Sequence, residues 1–248
     1  IDPRDGSVLA LYSKPSFNPN SCTGRLSSIE KLRTDNDPFK PMLDKTVNPY
    51  FPGSIFKIAG SAAALEEGLF DADDTVKCYG AYKFGGRNFR CWKWGGHGSL
   101  DVVEALQQSC DVYYYRVADE LGIDAVAEYA YEFGFGEKTG LPINNERAGR
   151  VPTKEWHRKN SPNGYQYGFA LNTVLGQGDT MVTPLQVALA YGAVANGGEI
   201  YYPRIVDHIQ TSDGRTLFEF EPEVRKQVDV SDEALGLIRK GLYKAVNE

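Results

Sequence analysis

Apolar and polar positions alternate mainly with the period of a helix. From Ser54 to Leu69 apolar residues recur every three or four positions with alanines between them, so a helix is predicted from about Ser54. The same period predicts four more helices, over about 101–120, 123–133, 184–195 and 231–246. The rest of the chain is predicted to form loops and short strands.

The segments between these helices have distinct compositions. Residues 7–12 alternate like a strand, and residues 15–53 are rich in Pro, Asn, Asp and Ser, which predicts a long ordered loop. Residues 76–98 carry six aromatic residues and two glycine pairs, which predicts a compact hairpin excursion. Residues 140–180 are predicted to be mostly loop, and a turn at 212–214 predicts a second hairpin.

Length and charge limit the possible functions. A chain of 248 residues without repeats or linkers is predicted to form one domain, 1–248. A net charge of -6 argues against a general nucleic-acid or anionic-membrane surface, so no nucleic-acid partner is expected. No apolar run approaches the roughly 20 residues that span a bilayer. Because the chain starts with Ile1 and not Met, we expect a piece of a longer protein, without its targeting segment.

Ser54 and Lys57 form the first candidate catalytic pair. Residues three apart on a helix share a face, and the predicted helix start at Ser54 favours developing negative charge. A serine hydroxyl becomes a strong nucleophile when a base takes its proton, and a buried neutral lysine can be that base. Taken alone, the pair is more often a helix cap followed by a solvated lysine.

Ser109-Cys110-Asp111 is the second candidate, and it falls within the helix predicted over 101–120. A second hydroxyl at Ser109 can relay a proton between Lys57 and a leaving group, and Asp111 can fix Lys57 or a substrate amide. By itself the stretch is more simply a polar segment inside a helix.

Taken together, these motifs resemble those of one enzyme family, the transpeptidase domain of class B penicillin-binding proteins. The resemblance covers almost the whole chain, and residues 2–10 resemble the first strand of that domain. The subgroup that the chain resembles most is the penicillin-binding protein 2 type, which serves cell elongation. The motifs are Pro52-Gly53-Ser54-x-x-Lys57, Ser109-x-Asp111, Gly176-Gln177-Gly178 and Thr183-Pro184-Leu185-Gln186, with Gly95-Gly96-His97-Gly98 and Thr153-Lys154-Glu155-Trp156 for the subgroup.

The resemblance implies an α/β (α+β) fold, shared with serine β-lactamases, in which helices flank an antiparallel sheet. It also implies a peptidoglycan D,D-transpeptidase, in which Ser54 forms an acyl-enzyme with a stem peptide and an amine of a neighbouring stem resolves it. Lys57 would be the general base, Ser109 the proton relay and Asp111 a polar anchor. Gln177 is a candidate for the cleft wall, although a glycine on each side makes a tight turn equally favoured.

The resemblance further implies where the protein works and what it meets. We expect the periplasmic domain of a bacterial protein anchored in the inner membrane, working with a polymerising glycosyltransferase of the elongation machinery. Its expected ligands are stem peptides ending in D-Ala-D-Ala, and β-lactams, which mimic that end. Two alternatives stay open: a β-lactam sensor that is acylated once and signals, and, less favoured, a serine β-lactamase.

One family motif departs from the expected order. The family carries Lys-Thr/Ser-Gly on an edge strand of its sheet, and Lys138-Thr139-Gly140 matches those letters. We reject this match because it follows the end of a predicted helix and lies in a loop. The true motif is therefore expected beyond Glu248, so that the domain is incomplete at its C-terminus and stops before its last strands.

Cys78, Cys91, His97 and Cys110 form a candidate metal site. Twelve residues separate the first two cysteines, His97 follows six positions later, and Cys110 follows after thirteen more. Three thiols and one imidazole suit a structural, tetrahedral zinc ion, and some members of the subgroup resemble this with Asp, Asp, His and Cys. The alternatives are a Cys78–Cys91 disulfide with Cys110 buried, and free thiols. Cys22 is expected to be free.

The aromatic residues are expected to be structural. Trp92, Trp94 and Trp156 are predicted to be core or loop anchors rather than binding platforms. The three tyrosines at 113–115 point to different faces of a helix, which favours packing in the core.

Overall fold

Helices dominate the structure, as the periodicity predicted. The computed structural model describes residues 1–18 and 36–248. Its helices are a 3₁₀ turn (Gly53–Phe56), α1 (Lys57–Glu66), α2 (Val102–Gln107), α3 (Asp111–Glu132), α4 (Lys154–Asn160), α5 (Phe169–Val174), α6 (Pro184–Asn196) and α7 (Asp232–Asn247). Its strands are β1 (Val76–Cys78), β2 (Ala81–Phe84), β3 (Arg87–Arg90), β4 (Gly98–Leu100), β5 (Glu199–Tyr201), β6 (His208–Gln210), β7 (Thr216–Glu219) and β8 (Val224–Gln227).

Helix α1 lies at the centre of the core, and its residues from Lys57 to Ala64 are all buried. Small residues let its neighbours approach closely. A Cβ at Gly60 would lie 2.8 Å from Val174 of α5 and 3.1 Å from Tyr114 of α3, so only glycine fits there. Because α1 begins beside Ser54, this packing fixes the position of the candidate nucleophile.

The helix predicted over 101–120 is broken, which corrects the sequence interpretation. Asp101 and Glu104 form a capping box at the start of α2, which ends at Gln107, and α3 begins only at Asp111. Between them Ser109 has φ 50°, a left-handed conformation that a right-handed helix does not accommodate. The second motif therefore occupies a break between helices.

The predicted third helix is the second half of α3 and begins after a kink at Gly122, where φ is 82°. The prediction that residues 140–180 are mostly loop is confirmed, although two short helices that were not predicted, α4 and α5, lie within that stretch. Thr153 caps α4 by accepting a hydrogen bond from the Trp156 N–H. Helices of six or seven residues contain too few turns to show an apolar period.

The strands pair in antiparallel fashion as β1–β4, β2–β3, β5–β8 and β6–β7, and the hairpin predicted around 212–214 is β6–β7. The expected antiparallel pairing is present, but the described strands form four two-stranded ladders rather than one sheet. The strand predicted over 7–12 is not formed, since Ser7 alone is bridged, to Arg204. A strand needs partners for its backbone groups, and beyond the Val8 N–H, which donates to the Arg204 carbonyl oxygen at 2.8 Å, the described residues offer residues 9–12 none.

The C-terminal helices follow the sequence closely. Pro184 begins α6 and Gly197, with φ 95°, ends it in the left-handed conformation. Ser231 caps α7 through the N–H of Ala234. Within the described ranges, no helix combines the length and apolar character that a bilayer crossing requires.

Candidate active site and metal centre

Ser54 lies in the 3₁₀ turn that leads into α1, one turn before Lys57. The preceding Gly53 has φ 62°, and its N–H donates to the Gly176 carbonyl at 3.0 Å. Ser54 is exposed, and its hydroxyl makes no hydrogen bond within the described part of the chain. The structure thus presents this hydroxyl to solvent at the start of a buried helix.

The loop around Gln177 packs directly against the Ser54 turn. A Cβ at Gly176 would lie 2.4 Å from the Gly53 carbonyl oxygen, so this close approach requires glycine. Gly176 and Gly178 both have positive φ, and the exposed Gln177 side chain projects between them. Both interpretations made from the sequence are therefore present, a tight turn and a place in the cleft wall.

Lys57 is fully buried, and its amine reaches the second motif. Its Nζ lies 3.0 Å from Ser109 Oγ, 2.9 Å from the Ser109 carbonyl oxygen and 2.7 Å from Asp111 Oδ1. An ammonium has three hydrogens, and these three acceptors use all of them. A buried lysine needs such pairing, because an unpaired charge in the interior is very costly.

The break between α2 and α3 makes this network possible. The left-handed conformation at Ser109 turns both its carbonyl and its hydroxyl toward Lys57. Asp111 is the first residue of α3, where the helix dipole favours a carboxylate, and its side chain is 15% exposed. The sequence predicted these three residues together, but not the break that aims them.

A cleft of about 370 Å³ opens beside Ser54. Trp92 and Trp94 form part of its wall and are 61% and 76% exposed, so a place in the core is wrong for both, whereas a loop anchor is confirmed for Trp92, whose indole donates to the Gln108 carbonyl oxygen. Sequence reasoning missed them, although their position between Cys91 and His97, at a candidate metal site, was a signal. The other lining residues are Ser54, Arg90, Cys91, Asp111, Tyr115, Leu175 and Gln177.

The tyrosines of α3 follow the prediction. Tyr113, Tyr114 and Tyr115 are all buried in the core. The Tyr114 ring also lies 5.2 Å from Lys57 Nζ, and its hydroxyl is hydrogen bonded to Ser61 at 2.8 Å. These contacts hold the helix that carries Asp111 against α1.

The four candidate metal ligands come together in space. The ligand atoms of Cys78, Cys91, His97 and Cys110 all lie within 4.8 Å of one another. Zinc–sulfur bonds of about 2.3 Å place tetrahedral ligands within about 4 Å of each other, so a small adjustment would fit this set around zinc. The three thiols are free, so the alternative Cys78–Cys91 disulfide is not formed. Cys22 lies outside the described residues.

The surroundings of the ligands suit a cation. Burial lowers the pKa of His97, which keeps the imidazole neutral and able to bind a metal, whereas burial, with the nearby Cys91 and Cys78, raises the pKa of the Cys110 thiol, a cost that a bound cation would offset by stabilising the thiolate. The Nε2 of His97 is buried without a hydrogen-bond partner, and its Nδ1 lies 3.6 Å from Cys91 Sγ. Cys110 stands between Ser109 and Asp111, so the cluster touches the candidate active site directly.

The rejection of Lys138-Thr139-Gly140 is confirmed. These residues lie in a loop after α3 and not on a strand. The Thr139 side chain is buried, and its hydroxyl donates to Glu146 Oε1 at 2.6 Å, so it does not face the cleft.

The whole chain matches a known family. The profile described as the penicillin binding protein transpeptidase domain covers residues 1–248. The peptidoglycan D,D-transpeptidase MrdA of Escherichia coli is 32% identical over 99% of this chain and 39% of its own length. The chain thus spans about two fifths of the length of the curated relatives that it matches.

Solved structures agree with this similarity. The penicillin-binding protein (PBP2) of Helicobacter pylori superposes with a TM-score of 0.88 at 29% identity, over 100% of this chain and 45% of that one. A chain of a peptidoglycan synthase complex, studied for its coordination of polymerization and crosslinking, gives 0.88 at 35% identity, over 100% and 41%. These matches confirm the fold class and the resemblance to the penicillin-binding protein 2 type. The chain belongs to the penicillin-binding protein transpeptidase domain family.

Proposed function

We propose that the protein is a peptidoglycan D,D-transpeptidase that works through an acyl-enzyme on Ser54. The observation that carries the proposal is the network in which Lys57 Nζ contacts Ser109 Oγ and Asp111, one turn from an exposed Ser54 in a cleft wall. The similarity to MrdA, which is named a peptidoglycan D,D-transpeptidase, supports the substrate class.

In the first half of the reaction, Ser54 Oγ forms a bond to the penultimate D-alanine carbonyl carbon of a stem peptide. Its proton passes to Lys57 Nζ, which must first lose a proton of its own, because a charged ammonium has no lone pair to accept one. Asp111 Oδ1, at 2.7 Å, is the acceptor for that proton. As the C–N bond breaks, Ser109 Oγ relays a proton to the departing D-alanine amine, and an ester remains on Ser54.

In the second half, an amine of a neighbouring stem attacks the ester carbonyl and forms the cross-linking amide. The amine loses a proton through Ser109 and Lys57, and Ser54 Oγ takes one back as the ester bond breaks. Both tetrahedral intermediates carry an oxyanion. Ser54 lies in the first turn of a helix, where N–H groups lack intrahelical acceptors and can stabilise that charge.

The test of this function is a cross-linking assay with the full-length protein. A peptide ending in D-Ala-D-Ala and a separate acceptor amine are expected to yield free D-alanine and a cross-linked product, measured by mass spectrometry. A peptide ending in L-Ala-L-Ala is the matched control and should yield neither. Absence of any cross-linked product from the D-peptide would overturn the proposal.

The two alternatives give different results with penicillin. A β-lactamase would release hydrolysed penicillin within seconds, because water would cleave its acyl-enzyme rapidly. A sensor would keep its penicillin adduct but form no cross-linked peptide. A transpeptidase is expected to keep the adduct and to cross-link, so the two assays together separate all three functions.

We further propose that Cys78, Cys91, His97 and Cys110 hold a structural zinc ion. Four protein ligands would fill a tetrahedral zinc and leave no position for substrate, so the ion supplies stability rather than a reaction step. It would tie β1 and the loop between β3 and β4, which carries the two tryptophans, to the break between α2 and α3. The proposed role is to brace the residues on either side of Cys110.

Metal removal is expected to lower the melting temperature of the protein by about 10 °C, because a ligand bound only by the folded state stabilises it by several kcal/mol. Cys78→Ser should lose zinc, measured by native mass spectrometry, and melt at a similarly lowered temperature. Cys22→Ser, at a position outside the described residues, is the matched control and should keep both the bound zinc and the wild-type melting temperature. Two results would contradict the zinc site. One is wild-type protein that contains no zinc after purification, and the other is a Cys78→Ser variant with the melting temperature of the wild type.

We also propose that the protein is located in the periplasm and acts together with a glycosyltransferase that polymerises peptidoglycan strands. The similar chain in a complex that coordinates polymerization and crosslinking supports a glycosyltransferase partner. An inner-membrane anchor would keep the domain beside the peptidoglycan strands that it joins. β-Lactams are proposed ligands of the same Ser54 cleft, as the family description indicates.

A further inference from the structure

Trp92 makes three polar contacts with the break between α2 and α3. Its indole Nε1–H donates to the carbonyl oxygens of Gln108 at 3.0 Å and Ser109 at 3.2 Å. Its backbone N–H donates to Asp111 Oδ2 at 3.1 Å. All three contacts therefore converge on the segment that carries the second motif.

Two of the acceptors are shared with Lys57. The Ser109 carbonyl oxygen receives Lys57 Nζ at 2.9 Å from one direction and the Trp92 indole from another. The Asp111 carboxylate receives Lys57 on Oδ1 and the Trp92 backbone on Oδ2. The exposed Trp92 and the buried Lys57 therefore donate hydrogen bonds to the same two groups, the Ser109 carbonyl oxygen and the Asp111 carboxylate.

Burial does not explain why a tryptophan stands at this position. The side chain is 61% exposed, yet its one polar atom points inward to the break. Ser109 is in a left-handed conformation, which is strained for a residue with a Cβ and needs support from its surroundings. A donor on its carbonyl oxygen opposes relaxation of the peptide away from Lys57.

Trp94 provides a natural comparison two residues along the same loop. It is 76% exposed and lines the same cleft. The Arg90 guanidinium lies 4.4 Å from its ring centroid, and within the described ranges it makes no hydrogen bond to the α2–α3 break. The two tryptophans therefore differ in one contact, the indole hydrogen bond to the α2–α3 break, which only Trp92 makes within the described ranges.

We infer that Trp92 is a positioning residue for acylation, which fixes the Ser109 and Asp111 groups around Lys57 through its indole and backbone N–H groups. This inference rests on the proposed transpeptidase function. A tryptophan that served only as an aromatic surface for ligands would change binding, whereas a positioning residue changes the rate of the chemical step.

The test uses the full-length, zinc-loaded protein and the concentration dependence of penicillin labelling. This separates the dissociation constant of the initial complex from the acylation rate constant. Trp92→Phe keeps an aromatic ring but loses the indole N–H, and it is expected to lower the acylation rate constant about tenfold, with the dissociation constant changed less than about twofold. Trp156→Phe is the matched control: Trp156 does not line the cleft, its ring packs on the Arg150 guanidinium and its indole N–H makes no hydrogen bond within the described ranges, so the variant should change neither constant by more than about twofold.

A second variant protects the test against a folding defect. Replacing the Trp92 side chain by benzothienylalanine keeps the ring shape and exchanges the N–H for sulfur, and the same loss of rate is expected. Zinc content and melting temperature are measured on both variants. An unchanged rate constant, or a loss confined to the dissociation constant, would overturn the positioning role. A wild-type protein that penicillin does not label would overturn the proposed function, and this inference with it.

Discussion

Ser54→Ala is expected to abolish the covalent penicillin adduct and to lower transpeptidation by about 10⁶-fold, the scale found when a serine nucleophile is removed. The methyl group of alanine has no oxygen to form the ester. Within the described part of the chain, Ser54 is exposed and its hydroxyl has no hydrogen-bond partner. The melting temperature should therefore change by less than about 2 °C.

The matched control for this variant is Ser99→Ala, an exposed serine on β4. It should keep both the adduct and the cross-linking activity. Peptide mapping of the labelled wild type is expected to place the adduct on the peptide that contains Ser54. An adduct that persists in Ser54→Ala at the same stoichiometry would mean that another residue is the nucleophile.

Lys57→Met is expected to lower the acylation rate constant by about 10²–10⁴-fold, the usual contribution of a general base. Methionine fills the same volume but cannot take the Ser54 proton. The substitution also leaves Asp111 without its partner at 2.7 Å, which destabilises a largely buried carboxylate. Rate and stability are therefore measured together, by rapid-quench labelling and thermal melting.

Two further variants separate the loss of the general base from the loss of stability. Lys57→Met combined with Asp111→Asn removes both charges, so it should recover stability without recovering the rate. Lys77→Met removes an exposed lysine of β1 and should leave both quantities unchanged. Acylation of the double variant at the wild-type rate would show that Lys57 is not the base.

Local sequence predicted the candidate site well where its chemistry depends on spacing along one element. Ser54 and Lys57 are separated by one turn, so periodicity alone placed them together. The cysteines and His97 were grouped by ligand type, and the structure brings their ligand atoms within 4.8 Å of one another. These groupings needed no knowledge of the remaining fold, whereas the catalytic roles of Ser54 and Lys57 came from the family resemblance.

What the sequence did not reveal depends on contacts between distant segments. The left-handed Ser109 is stabilised by Lys57 and Trp92, and nothing in the sequence from 101 to 120 marks the break. Trp92 and Trp94 were expected to be structural because their sequence context does not show which way a hairpin faces. The strand predicted over 7–12 failed for the same kind of reason, since strand formation depends on a partner elsewhere in the chain.

The cleft is closed by contacts that join remote parts of the chain. Lys57 is hydrogen bonded to Ser109 and Asp111, which are 52 and 54 positions further along the chain, and Gly53 is hydrogen bonded to the still more distant Gly176. Such contacts form late in folding, because the chain must first give up the entropy of large loops. A partly folded molecule can present Ser54 without the groups that activate it. The stoichiometry of covalent labelling by penicillin would therefore also measure the fraction of molecules in a preparation that have completed folding.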